Sequence, residues 1–491
     1  MFKYVSFVVL MALSLHLSAQ ENVFLGRDYW KSTTDLTQVK ADIKKGNDPA
    51  ESNYYGFDGT TYAILGDAPQ ETIEYMISLK GNGANKLTHD GRTYIFWAAY
   101  KNNFEVVKYL IKKGAKTDVL DAHGYTISTF AANAGVTNKD MFTYLHKNGA
   151  DITRPNLHGA TVLLVAMPRL KDFSFISYLT DNGLELGATD EDGNGAFNYA
   201  ASGGNIALMD KLIEMGIEYK GLNHKGGNAM LSAARVNRRG PSAGLEVFKY
   251  LEAKGIDPNI KDKTGTTPLH QLAGRSEDIA VLEYFIKKGV ATNSADEKGN
   301  TPFMLAAESN NLQVIKLMQT ASTNINATNK AGDHALNLAL AHNTPEVVDY
   351  LISQGADPNA NSGKMLVNGY RKGNVDAFAA KLKAIESLGY QPSITDADKN
   401  TLVHLAIEKG EVAIIDILLT YNVPVNTKNA EGYTPLHIAA MKSQDTAILE
   451  LLAKAGADKN ARTDFDETAY DLASENELLS KSNADLSFLK S

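Results

Sequence analysis

A serine between two glycines, Gly240-Pro-Ser-Ala-Gly244, is the first place where this sequence could do covalent chemistry. Gly-x-Ser-x-Gly is the nucleophile elbow of serine hydrolases, and it works because a preceding strand drives the serine into an exposed, strained turn. Ser242 has no strand pattern before it. Ala233-Ala234 close one helical stretch and Leu245 to Leu251 form another, so a loop is expected, with Arg235, Arg238 and Arg239 beside it as a small basic contact site. Asp190-Glu-Asp-Gly-Asn-Gly195 reproduces the first half of a calcium-binding EF-hand loop, but its twelfth position, which needs a bidentate glutamate, is Ala201. Turn chemistry accounts for the same residues.

The eleven histidines raise the question of a metal. His270, His404 and His437 share one sequence slot and His123 and His158 another, on elements expected to stack roughly 8–10 Å apart. Ligands of one zinc lie about 2 Å from it, so equivalent slots are poorly placed to share an ion. No His-Glu-x-x-His or Cys-x-x-Cys occurs, and Gly81-Asn-Gly83 reads as a helix-ending turn rather than a phosphate loop. No catalytic residue, metal or cofactor is assigned, and the chain is not expected to be an enzyme.

Those shared slots belong to a repeat. Asn429-Ala-Glu-Gly-Tyr-Thr-Pro-Leu-His-Ile-Ala-Ala440 returns as Asp262-Lys-Thr-Gly-Thr-Thr-Pro-Leu-His-Gln-Leu-Ala273 and as Asp296-Glu-Lys-Gly-Asn-Thr-Pro-Phe-Met-Leu-Ala-Ala307. Aligned on a turn glycine, the register runs through Gly59, Gly91, Gly124, Gly159, Gly193, Gly226, Gly265, Gly299, Gly332 and Gly432, mostly 32 to 35 residues apart. The step from Gly226 to Gly265 is 39 residues, and the extra length falls on the Gly240–Gly244 loop. Between Gly332 and Gly432 sit Asp396 to Ala406 and a degenerate unit around Ser362 to Gly373.

In each unit Asp, Asn and Gly supply a tight turn that tolerates positive φ. Thr267, Thr301 and Thr434 can cap a helix opened by Pro268, Pro302 or Pro435, where proline sacrifices no hydrogen bond. Paired alanines such as Ala98-Ala99 and Ala439-Ala440 let neighbouring helices approach. A second helix has one apolar face, as in Val106, Val107, Leu110 and Ile111, and stops at a glycine such as Gly114. A unit this short cannot bury both helices alone, so stability must come from stacking.

The recurring Thr-Pro-Leu-His core at this period resembles the ankyrin-repeat family, of the exported bacterial type, over roughly residues 22 to 480. The resemblance implies an all-α solenoid of helix-turn-helix units with short β-hairpin loops, about 11 to 13 repeats including caps. It implies a structural hydrogen bond from His270 and His437 to the backbone of the next hairpin. Residues 21–52, lacking the hairpin motif but carrying Leu36, Val39 and Ile43, are expected to cap the array 53–462; residues 463–491 are expected to form the C-terminal capping repeat and tail.

Residues 1–20 have the pattern of a secretory signal: Lys3, an apolar run from Val5 to Leu17 too short to span a bilayer comfortably, then Ser18-Ala19-Gln20. An exported protein, periplasmic or secreted, with no membrane insertion after cleavage, is expected. The absence of cysteine excludes disulfide chemistry. A formal charge of −8 argues against nucleic acid as a partner. A monomer is expected.

As a member of this family the chain would be a protein–protein interaction scaffold, binding a macromolecular partner through a concave surface of hairpin tips and inner helices. Sensing of a small molecule or glycan in the groove, or a hydrolase site at residues 236–244, are the alternatives. Tip and inner-helix-end positions map to Phe57, Arg92, Tyr100, His123 and Tyr125 near the N-terminus, and to Glu431, Tyr433 and Met441 near the other end. Aromatics and arginine are the usual hot spots. The competing reading is that Tyr62, Tyr94 and Trp97 fill a locally swollen core on which Tyr100 and Tyr125 merely lean.

Overall fold

In the computed structural model the described residues are 22–236, 242–319, 323–359, 361–393, 395–421 and 423–490. The expected export segment, together with Arg238, Arg239 and the Gly240-Pro241 half of the elbow motif, lies outside them. Contacts group the described residues into two compact units, 22–200 with 207–217, and 201–206 with 218–490. Both are built from helix pairs, and among the described residues the only β-type pairings are isolated bridges, Ser52 with Asp58 and Leu120 with Thr126.

The first unit opens with short 3-10 turns and the helix Leu36–Lys44, which seat Phe24, Trp30 and Val39 in the core. Repeats follow. Tyr94–Tyr100 pairs with Phe104–Lys112, and Ile127–Asn133 with Lys139–Lys147. Val106, Val107 and Leu110 are fully buried, as their spacing requires, and each such side chain is worth about 1.5–3 kcal/mol on leaving water.

Most tips are closed by an Asx side chain acting as a substitute backbone, and those opening at Thr88 and Thr463 by a threonine hydroxyl. In the first unit Asn53 N–H donates to the Phe57 carbonyl at 2.8 Å, while its Oδ1 accepts from the N–H groups of Tyr55 and Phe57. Asp121, Asn156 and Asp190 close their tips in the same way. In the first unit the left-handed residue before the last in a tip is glycine: Gly56, Gly91, Gly124 and Gly159 have φ of +78, +68, +77 and +75°. The N-terminal register thus needs a correction. Gly59 is no turn residue; it heads the helix Gly59–Leu65, which Asp58 caps through Thr61 N–H at 2.8 Å. The turn glycine is Gly56, hidden because Asp58 stands in the capping place and the nearby Gly59-Thr60-Thr61 imitates a turn glycine followed by a capping threonine.

Neighbouring tips are tied edge to edge. Ala122 N–H donates to Asp90 O at 2.8 Å and Leu157 N–H to Gly124 O at 2.9 Å in the first unit; Lys263, Glu297 and Lys330 donate likewise in the second.

The second unit shows why the histidine slot matters. Helices Pro268–Ala273 and Pro435–Lys442 begin with proline behind Thr267 and Thr434. His270 Nδ1 accepts from Thr267 N–H at 3.1 Å, and His437 Nδ1 from Thr434 N–H at 3.1 Å. Since an N–H can only donate, these Nδ1 atoms carry no proton. The Nε2 atoms face carbonyls of the next repeat, Asn300 at 3.2 Å and Ala461 at 2.9 Å, so each must bear the hydrogen. His404 repeats the arrangement between Thr401 and Tyr433.

The degenerate unit departs from the pattern. Helices Asn361–Gly369 and Val375–Glu386 follow no tip glycine, and Asn359 and Asn361 instead donate to the carbonyls of Gly332 and Ala331, each at 3.2 Å. Elsewhere in this unit Asn310, Asn343 and Asn476 satisfy the last carbonyls of the preceding inner helix. Here buried Lys381 does so, donating to Leu340 O at 2.9 Å, and burial pulls its pKa down to about 8.

Candidate partner-binding site

In the first unit the tip edge is aromatic. Tyr54 and Tyr55 occupy the first tip with 96% and 68% of their surface exposed, their rings edge-to-face at 5.3 Å. They stand on a fixed base. Phe57, half-buried, stacks on Tyr62 at 5.3 Å and on His89 at 4.3 Å, and His89 Nδ1 hydrogen-bonds the Tyr55 carbonyl at 2.8 Å. The Asn53 carboxamide meets the Tyr62 hydroxyl at 3.0 Å. This tip is therefore held by its neighbours while two tyrosine rings project into water.

Arg92, a candidate for partner binding by its place on the tip, has no free guanidinium to offer. It is 7% exposed, donating to Asp121 at 2.8 Å and Asp90 at 2.9 Å and lying 4.3 Å from the Phe130 ring centre. The reason is geometric: an arginine fork satisfies carboxylates from two consecutive tips, which a partner could reach only by breaking the stack. Asp90 also receives His89 Nε2 at 3.3 Å and His123 Nε2 at 3.2 Å. Burial works against its charge, but His89, Arg92 and His123 outweigh it and hold the carboxyl below the usual range. His123 remains exposed.

Tyr125 is corrected as well. Half-buried against Phe130, its hydroxyl is pushed up mainly by burial and then by Asp121. Tyr62, Tyr94 and Trp97 are buried, so the swollen core exists and Tyr125 leans on it. Tyr100 stacks on Phe130 at 5.4 Å yet stays 41% exposed. In the second unit Glu431 is exposed, Met441 half-buried, and Tyr433 half-buried edge-on to His437 at 6.5 Å.

Sequence reasoning missed Tyr54 and Tyr55. The signal was present: both stand between Asn53 and Gly56, the two residues that build the tip, and the wrong turn glycine hid them.

The two failed chemical motifs are absorbed by the fold. Both carboxylate oxygens of Asp190 are engaged within its own repeat, by Asn194 of the tip and by the Tyr199 hydroxyl of the following helix at 3.0 Å. Ser242 lies in irregular backbone just before the helix Leu245–Ala253, not on a strand-to-helix turn. Among the described residues no helix is long and apolar enough to cross a membrane.

A family model for ankyrin repeats, in three copies, matches residues 61–156, 240–329, 296–362 and 373–463, together more than half of the sequence. The chain belongs to the ankyrin-repeat family. Ankyrin repeats mediate protein–protein interaction, and their fold is typically a non-catalytic scaffold.

Among its relatives, SH3 and multiple ankyrin repeat domains protein 2 of Homo sapiens is 27% identical over 216 residues, 43% of this chain and 10% of that protein. Putative ankyrin repeat protein YahD of Escherichia coli is 28% identical over 180 residues, 35% of this chain and 88% of that protein. Palmitoyltransferase AKR1 of Eremothecium gossypii is 32% identical over 124 residues, 25% of this chain and 17% of that protein. The human and fungal proteins are matched over only a small part of their length.

Proposed function

We propose that this chain is a non-catalytic scaffold that binds a protein partner on the tip edge of its first unit, with Tyr54 and Tyr55 as anchors. The observation that carries the reading is the exposure of two adjacent tyrosine rings on a base already fixed by Phe57, His89 and Tyr62. Tyrosine buries a large area with few rotatable bonds and can still hydrogen-bond at its tip, so a pre-ordered pair loses little entropy on docking. Exposed aromatics cost solubility, and the fold gives these rings nothing to cover. Tyr100 and His123 extend the same surface; Arg92 and Tyr125 support it from below.

The scaffold works as an exported monomer. Support comes from Lys3, the Val5–Leu17 run and Ser18-Ala19-Gln20, and from a chain without thiols to mispair. N-terminal sequencing of native protein is expected to begin between Gln20 and Asn22; an intact Met1 in a cytoplasmic fraction would overturn export. The net charge of −8 makes nucleic acid a poor partner. The binding reading is tested by the double substitution Tyr54→Ser, Tyr55→Ser. Partner affinity should fall by about 2 kcal/mol or more, as for a hot-spot pair, with melting unchanged. Undiminished affinity would move the site elsewhere.

A further inference from the structure

Across five successive repeats of the second unit, the ends of the inner helices border a cleft of about 700 Å³. Arg235, Arg275 and Arg371 line it, all exposed and none with an ion-pair partner among the described residues. Other arginines are engaged. Arg92 pairs with Asp90 and Asp121 and Arg462 with Asp466; Arg154 and Arg169 donate to the carbonyls of Asp118 and Asn133; Arg27 lies over the rings of Phe57 and Tyr62. A chain with a net charge of −8 thus gathers three uncommitted guanidiniums in one place. Exposed guanidiniums with no carboxylate partner of their own are free to receive anionic groups brought by a ligand. One carboxylate, Glu308, shares the cleft, 4.0 Å from His342 Nε2.

We infer that this cleft holds an extended acidic segment of a partner protein, its carboxylates received by Arg235, Arg275 and Arg371. A guanidinium accepts a carboxylate through two parallel hydrogen bonds, which fixes orientation as well as charge. Arg235 follows the helix Ala229–Ala233 and Arg371 the helix Asn361–Gly369, four repeats further on. Inner helices stacked roughly 8–10 Å apart make that span at most about 40 Å. About twelve extended residues reach as far. Charges spread along such a length suit a chain better than a single small anion. Gln271 and Ser309, also in the lining, can serve its backbone.

The inference rests on the scaffold reading but uses different residues, so the two can fail separately. The probe is a fluorescein-labelled peptide of six Glu-Ser repeats, followed by anisotropy against the full chain, with a Lys-Ser peptide and a single-stranded DNA of similar length alongside. The Glu-Ser peptide should bind, weaken as salt shortens the screening length, and bind the Tyr54→Ser, Tyr55→Ser chain equally. Arg275→Glu with Arg371→Glu should weaken it about tenfold or more, since reversal at two exposed positions replaces attraction by repulsion without disturbing the core. Three results would overturn the inference: no binding, binding indifferent to the arginine reversal, or DNA that binds more tightly and is lost in the same variant. Loss of peptide binding in the tyrosine variant alone would sink the cleft and leave the scaffold reading standing.

Discussion

Arg92 shows how one side chain can pass for a recognition residue while holding the fold together. Its guanidinium answers Asp90 on its own tip and Asp121 on the next, and Asp121 is fully buried. Removing one partner of a buried pair leaves an unpaired charge, which costs about 3–5 kcal/mol. Arg92→Ala should therefore lower the unfolding free energy of the first unit by an amount in that range, read as a fall in its urea midpoint followed by tryptophan fluorescence. Arg92→Lys should recover little, because an ammonium cannot span both carboxylates as a fork does. A midpoint unchanged by Arg92→Ala would mean that Asp121 is paired in another way. From sequence alone Arg92 and Tyr54 were indistinguishable as tip residues. What separates them is whether a carboxylate on the next tip lies within reach, and no period reports that.

At the scale of the element, the histidine slot links a helix cap to the following tip and makes that link sensitive to acid. His270, His404 and His437 accept at Nδ1 from a threonine N–H, so a second proton would set two donors against each other. Burial lowers the pKa of each, only partly opposed by the carbonyl hydrogen bonds at Nε2. His334 is lowered by burial too. The unfolded chain therefore binds protons first, near pH 6.5. Stability from these neutral rings is present above that pH and is lost as pH falls through it. All four lie in the second unit, whereas the two tryptophans, Trp30 and Trp97, lie in the first. Between pH 7.5 and 5.5 the melting followed by far-ultraviolet dichroism should separate from that followed by tryptophan fluorescence, with the former moving down first. Coincident shifts would contradict the assignment of proton-sensitive links to the second unit.

At the scale of the whole molecule, the repeat was legible because each unit obeys the same local rules, so a period of 32 to 35 residues carried the architecture even through weak units such as Gly159-Ala-Thr-Val. Legibility failed where chemistry was substituted. Lys399 and Asp466 take the left-handed place of glycine, Lys381 takes that of a capping asparagine, and Asp58 takes that of the capping threonine after Gly56. The binding surface was harder to read, since exposure depends on what the adjacent repeat supplies. Tyr125 was withdrawn by Phe130, while Tyr54 was left bare.

The central claim is that recognition lies on the tip edge and not on the outer helices. The most direct measurement is in-cell photo-crosslinking from a benzophenone side chain placed at position 54 or, separately, at Lys112, exposed on the outer helix Phe104–Lys112. The account predicts one discrete protein adduct from position 54 and none from position 112. An adduct from position 112 alone, or none from either site, would contradict it.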